Sequence, residues 1–202
     1  MKKTMLATAL LLVPFVSSAA ITTYTNQGNW SAAAGTTSLY DFNSEADGSF
    51  TSRDFGDFTG TLMNQYDAIT PAITSGELQL QRRQYTTDLK ITFDSNISSF
   101  GFTWGNTDGS SDAMELNVLG QNFIFGPSLS SGFFGIVSTS LFTEALLSDS
   151  VGNGGSLSYG YVDNFQYGDG TGEVPIPAAA FMFAPALLGF MGLRRRAKNK
   201  AV

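Results

Sequence analysis

The chain has 202 residues, of which 43% are hydrophobic and 14% charged, and it contains no His and no Cys. Without imidazole or thiol there is no Ser-His-Asp triad, no His- or Cys-ligated zinc, and no disulfide; chemistry is left to carboxylates, hydroxyls, amides and a few cations. Those cations sit mainly at the two ends, so between Asp41 and Glu173 only Arg53, Arg82, Arg83 and Lys90 oppose all seventeen acids, and a nucleic-acid partner is excluded.

Residues 1–20 begin with Lys2 and Lys3, continue through an apolar run from Met5 to Val16, and end in Ser18-Ala19-Ala20. Charge, apolar stretch and small residues in that order predict a secretory signal peptide, with the exported chain starting near Ala20 or Ile21.

Residues 21–168 read as one β-rich domain. Trp30, Ala33 and Ala34 share the face of a short helix, the one place where helical spacing shows. Asp41, Asn43, Glu45 and Asp47 then alternate up to Gly48. With Asp54 they match the ligand spacing of a calcium loop, although Asn43 takes the first position and Asp54 the place of the bidentate Glu. The same residues also suit a solvated acidic turn.

Strands are expected at 38–42, 77–81, 88–93, 99–104, 114–119, 121–125, 133–138, 143–147 and 157–166. Leu78 and Leu80, then Leu89, Ile91 and Phe93, alternate with polar residues as one-sided strands do. Leu119-Gly120 reads as the tight turn of a hairpin. Short strands at this spacing predict an all-β fold, an antiparallel two-sheet β-sandwich of jelly-roll type. Arg82, Arg83 and Tyr85 end a strand and hold half of the domain's cations, which makes them a candidate ligand site. Trp30, Trp104, Tyr159, Tyr161 and Tyr167 are candidates for stacking sugar rings, with burial in the core as the competing role. Glu77, Glu115 and Glu144 make a hydrolytic carboxylate pair conceivable, but no motif singles one out.

Residues 169–173 form a Gly-rich spacer. Residues 174–202 hold Val174, Pro175 and Pro177, an apolar segment at 178–193, and a basic end at 194–200 with Arg194, Arg195 and Arg196. As a helix, Val174 to Leu193 spans about 30 Å, the thickness of a bilayer core, and the cations after it keep the C-terminus cytoplasmic.

Val174-Pro175-Ile176-Pro177, the apolar helix and the terminal arginines together resemble the PEP-CTERM sorting signal of Gram-negative bacteria, with Ile176 where Glu is usual. The resemblance implies an inner-membrane intermediate, processing by an exosortase-type membrane enzyme, and delivery to the cell surface or an exopolysaccharide matrix. The body is similar to ectodomains that precede such tails, on Trp30-Ser31-Ala32-Ala33-Ala34-Gly35, Phe100-Gly101-Phe102, Gly132-Phe133-Phe134-Gly135 and Tyr161-Val162-Asp163-Asn164-Phe165. By analogy with jelly-roll carbohydrate-binding modules, Asp163 is a candidate to share a structural calcium with Asp41 or Glu45, with an edge or turn residue bonded to its own neighbours as the competing role. The reading is therefore a non-enzymatic surface or matrix protein. A carbohydrate-binding module and a secreted glycan hydrolase are the alternatives, told apart by an exposed aromatic platform and by a cleft with two close carboxylates.

Overall fold

The computed structural model describes residues 19–63, 70–82, 88–106, 113–126, 130–149 and 158–169. Among them are twelve strands and one helix, and every strand pairing is antiparallel. Two strands of 19 residues form the spine, β8 (Asp88–Asn106) and β11 (Ser131–Asp149), paired with each other along most of their length.

The spine bends once. Its ladder shifts register between Val137 and Phe142 and again before Glu144, opposite the exposed stretch Asp94, Ser95 and Asn96. Such bulges insert unpaired residues and turn the strand. Each long strand thus serves two layers.

The first half of β8 and the second half of β11 carry the front layer. It is completed by β9 (Met114–Val118) and β10 (Gln121–Phe125) on one side, and by β5 (Phe58–Leu62) and β4 (Ser52–Asp54) on the other. The other halves carry the back layer, flanked by β1 (Ile21–Tyr24) and β12 (Ser158–Gly168). Beyond β12 lie β7 (Glu77–Arg82), β6 (Ala72–Thr74) and β3 (Gly48–Ser49), with β2 (Ser38–Tyr40) beside its C-terminal end.

The layers face each other across an aromatic core. Phe58 of the front meets Phe165 of the back with ring centroids 5.5 Å apart, and Phe125 stacks on Phe134 at 4.8 Å. Offset and edge-on ring contacts add to the large area that each ring removes from water. This core meets the need left by the missing disulfides. The sandwich expected from sequence is present in its two antiparallel layers.

Two pairs of expected strands are single strands. Residues 88–93 and 99–104 both belong to β8, and 133–138 and 143–147 both belong to β11. Between those expected strands the backbone is bulged and bends without leaving the ladder. The β9–β10 hairpin turns through Leu119 and Gly120 as expected, with φ values of 52° and 74°. Two consecutive positive φ angles are the mark of a type I′ turn.

The helix α1 (Gln27–Ala34) is capped by Asn26, whose side chain accepts from the Asn29 N–H at 3.0 Å, and it stops at Gly35 with φ 74°. Trp30 and Ala34, one turn apart, are its buried face. It lies on the outside of the back layer, where Trp30 packs over Gly101 and Gly135 and its indole N–H donates to the Ile136 carbonyl at 3.0 Å. A Cβ on Gly135 would stand 2.5 Å from Trp30 Cδ1, so glycine is what lets the indole come down onto the sheet.

Candidate functional site

Alternation sends one set of side chains from each strand into the core and the other set outward. On the front layer the outward set forms a continuous row across six strands: Asn122, Asn117, Leu146, Lys90, Thr61 and Ser52. Six strands at about 4.8 Å spacing make a track of about 24 Å. The Asn117 side-chain amide donates to Asn122 Oδ1, and the hydroxyls of Ser52 and Thr61 lie 3.5 Å apart. Beside this row Lys90 Nζ donates to Glu144 Oε1 at 3.3 Å. That pair leaves the track locally neutral on an acidic protein.

A groove of about 580 Å³ opens at the middle of this row, at Asn117, Leu146 and Lys90. Its polar groups are Asn96, Asn117, Lys90 and Glu144, and its apolar rim is Met63, Leu119 and Leu141, all exposed. Large exposed apolar residues gathered at one groove with convergent polar groups are the usual composition of a ligand site. Of the groove residues only Glu144 was named from the sequence for chemistry, as one of several conceivable hydrolytic carboxylates. The available signal was the outward phase of 88–93 and 143–147, which needs the cross-strand register before it becomes a row.

On the back layer, β12 carries a bulge between Asp163 and Gln166, where Asn164 takes φ 53°. Asparagine tolerates this left-handed conformation better than most residues, and such outliers gather at functional sites. Asn164 donates from its backbone N–H to Asp163 Oδ1 at 2.6 Å and from Nδ2 to Asp163 Oδ2 at 2.9 Å. Its Nδ2 also donates to Thr103 Oγ1 at 3.1 Å, and Thr103 in turn donates to the Asp163 carbonyl at 3.1 Å. Beside the bulge is a second groove, of about 320 Å³, lined by Gln27, Thr37, Leu39, Thr103, Asn164 and Gln166.

The expected calcium ligands are spread among local roles. Asp41 accepts from the Asn43 N–H at 3.2 Å, Asp47 from the Ser75 N–H at 2.9 Å, and Asp54 from the Gly56 N–H at 2.8 Å. Glu45 accepts from the Tyr40 hydroxyl and pairs with Arg53 at 2.5 Å. Asp41 does lie near enough to Asp163 for its charge to act there. Burial pushes the Asp163 carboxyl up, the Asn164 N–H pulls it down, and Asp41 pushes it up further. Glu77 is likewise raised, by burial and then by Asp163. Among the described residues, no group of three or more acidic side chains is close enough to hold a metal ion.

Three of the candidate stacking aromatics take the competing role in the core. Trp30, Trp104 and Tyr167 are buried, because each is needed to fill the space between or above the layers. Tyr161 is half-buried and lies over Gly105, its cross-strand partner. Arg82 is the last residue of β7, paired with Ser158, while Arg83 and Tyr85 lie outside the described residues. Val174, Pro175, Pro177 and Arg194 to Arg196 lie outside them too, as do residues 1–18. Among the described residues no helix is long and apolar enough to cross a membrane.

No family model and no curated protein matches the chain. Among the solved structures that resemble it are carbohydrate-binding modules. A family 29 module is 14% identical with a TM-score of 0.41, over 67% of this chain and 91% of its own. A variant of the CBM29-2 module in complex with mannohexaose is 15% identical with a TM-score of 0.42, over 67% and 92%. The CBM36-1 domain of a multidomain xylanase from the hindgut metagenome of Trinervitermes trinervoides is 13% identical with a TM-score of 0.34, over 66% and 97%. Likenesses this loose assign the chain neither a ligand nor residue roles.

Proposed function

We propose that the protein is an exported, non-enzymatic surface or matrix component whose β-sandwich binds polysaccharide. A signal peptide at 1–20 exports it, and the PEP-CTERM-type tail at 174–202 holds it in the inner membrane until an exosortase-type enzyme passes it to the surface. The observation that carries the binding role is the front track. A sugar polymer offers hydroxyls along its edges and C–H groups on its faces. The row of amides, hydroxyls and the neutralised Lys90–Glu144 pair suits the first, and Met63, Leu119, Leu141 and Leu146 suit the second. An open track across six strands accommodates an extended chain rather than a small molecule.

The non-enzymatic part of the proposal is supported by where the perturbed acids lie. A glycosidase needs two carboxyls facing one another across the scissile bond, one of them with a raised pKa. The raised carboxyls here, Asp163 and Glu77, line neither groove, and both Asp163 oxygens are engaged by Asn164. Calorimetry of the full chain with soluble neutral and anionic polysaccharides tests the binding role. Heat that disappears in Asn117→Ala/Leu141→Ser, with far-UV circular dichroism unchanged, is the expected result; no heat with any polysaccharide overturns it. Intact mass of the surface-released protein tests the sorting role, which fails if deleting Arg194–Arg196 alters neither mass nor location.

A further inference from the structure

We infer that the groove beside the β12 bulge is a second binding site, built for a neutral sugar or similar polyol. It rests on the polysaccharide reading only for the choice of ligand source; the site itself stands on Gln166. This residue is 8% exposed and lines the groove, yet its side-chain amide has no hydrogen-bond partner among the described residues. Its backbone is fully occupied in the sheet, between Gly101 of β8 and Leu39 of β2. An amide buried without a partner gives up its hydrogen bonds to water for nothing in return, and buried polar groups are nearly always satisfied. A ligand hydroxyl, which both donates and accepts, supplies what the amide lacks.

The rest of the lining fits the same ligand. Thr103 and Asn164 are already fixed by their mutual hydrogen bond, and the Nδ2 bonds of Asn164 to Thr103 and Asp163 orient its amide, leaving Oδ1 as an acceptor. Gln27 and Thr37 add polar groups from the helix start and from the segment before β2. Leu39 is 62% exposed and offers an apolar wall for the C–H face of a ring. No lining side chain carries a formal charge, so a phosphate, a uronate or a divalent cation finds no partner there. The volume is at the small end of ligand pockets, which suits a ring at a chain end or a branch better than a long segment.

The bulge explains how the site arises. The extra residue in β12 lets Asp163 and Gln166 both belong to the outer surface although three positions separate them, and it brings Asn164 between them at a left-handed φ.

The test uses the full-length chain with a β-1,4-linked glucose hexasaccharide, the matching mannose hexasaccharide and a uronic-acid hexasaccharide, followed by calorimetry and by amide side-chain resonances. One of the neutral probes is expected to shift the Gln166 side-chain amide signals, and the uronic-acid probe is expected not to. Gln166→Leu should weaken that binding tenfold or more without lowering the melting temperature, because it removes an unsatisfied amide; a purely structural Gln166 would lower it. Leu39→Asp, at an exposed position that does not endanger folding, should weaken the same binding. Loss of binding in Asn117→Ala alone, with Gln166→Leu and Leu39→Asp unaffected, overturns the second site and leaves the front track standing. The converse pattern supports the second site and removes the front track. No shift at Gln166 with any neutral probe overturns the inference.

Discussion

The two outer faces of the sandwich are made largely by the same two strands, yet they are built for different neighbours. In the front halves of β8 and β11 the outward positions are Lys90, Thr92, Glu144 and Leu146, side chains that meet water or a ligand. In the back halves they are Gly101, Thr103, Gly105, Phe133 and Gly135, and the glycines leave room for Trp30 and Tyr161 to lie on the sheet. One face is an open track. The other is partly roofed by α1, and a groove remains beside the start of that helix. What distinguishes them is outward side-chain volume rather than strand geometry, so a substitution tells the two faces apart by what it costs.

Trp30→Ala strikes the roofed face hardest. It removes a fully buried indole, its contact with Phe133 at 5.5 Å and its bond to the Ile136 carbonyl. A loss of about 3–5 kcal/mol in urea unfolding is expected; a loss below that range would mean that α1 is not integral to the fold. Gly135→Ala forces a methyl against the same indole and should cost about 1–3 kcal/mol. The equivalent change on the open face should be mild. Lys90→Ala breaks an ion pair with partly exposed partners, worth less than about 1 kcal/mol. Equal costs for Gly135→Ala and Lys90→Ala would erase the contrast between the faces.

The smallest expected effect is on pH dependence. Burial raises the folded-state pKa of Glu77 and Asp163, so each binds its proton more tightly in the folded chain than in the unfolded one. Their contribution therefore favours folding at low pH and is lost as pH rises from the ordinary carboxylate range through the raised values. Glu77→Gln should flatten that part of the stability profile by about 1–2 °C in melting temperature. A profile that steepens instead would reverse the sign of this linkage.

Much of the layering was legible from period-two alternation, since Leu78, Leu80, Leu89, Ile91, Leu116 and Val118 all point inward as their spacing requires. The type I′ turn was legible because Leu119-Gly120 leaves two residues between matched runs. Strands β1, β3, β4 and β6 escaped notice because they have two to four residues, too few for a period to show, and β5 because one of its two inward positions is Gly60. The bulge in β12 did leave a trace: Val162, Phe165 and Tyr167 are buried at a spacing of three and then two, which a regular strand cannot satisfy. The acidic alternation at Asp41 to Asp47 was legible as a pattern, but its use was not. Carboxylates there serve loop amides and Arg53, a use that no spacing distinguishes from metal ligation.

By itself the sequence determined that this chain is an acidic, aromatic-rich, antiparallel β protein without thiol or imidazole chemistry, because composition and alternation are local properties written along the chain. Only the tertiary structure decided which aromatics are core, where the spine bends, and that the buried Gln166 amide has no partner among the described residues. Those facts depend on what lies across the sheet and across the layer, between residues dozens of positions apart, and a linear pattern carries no record of such neighbours.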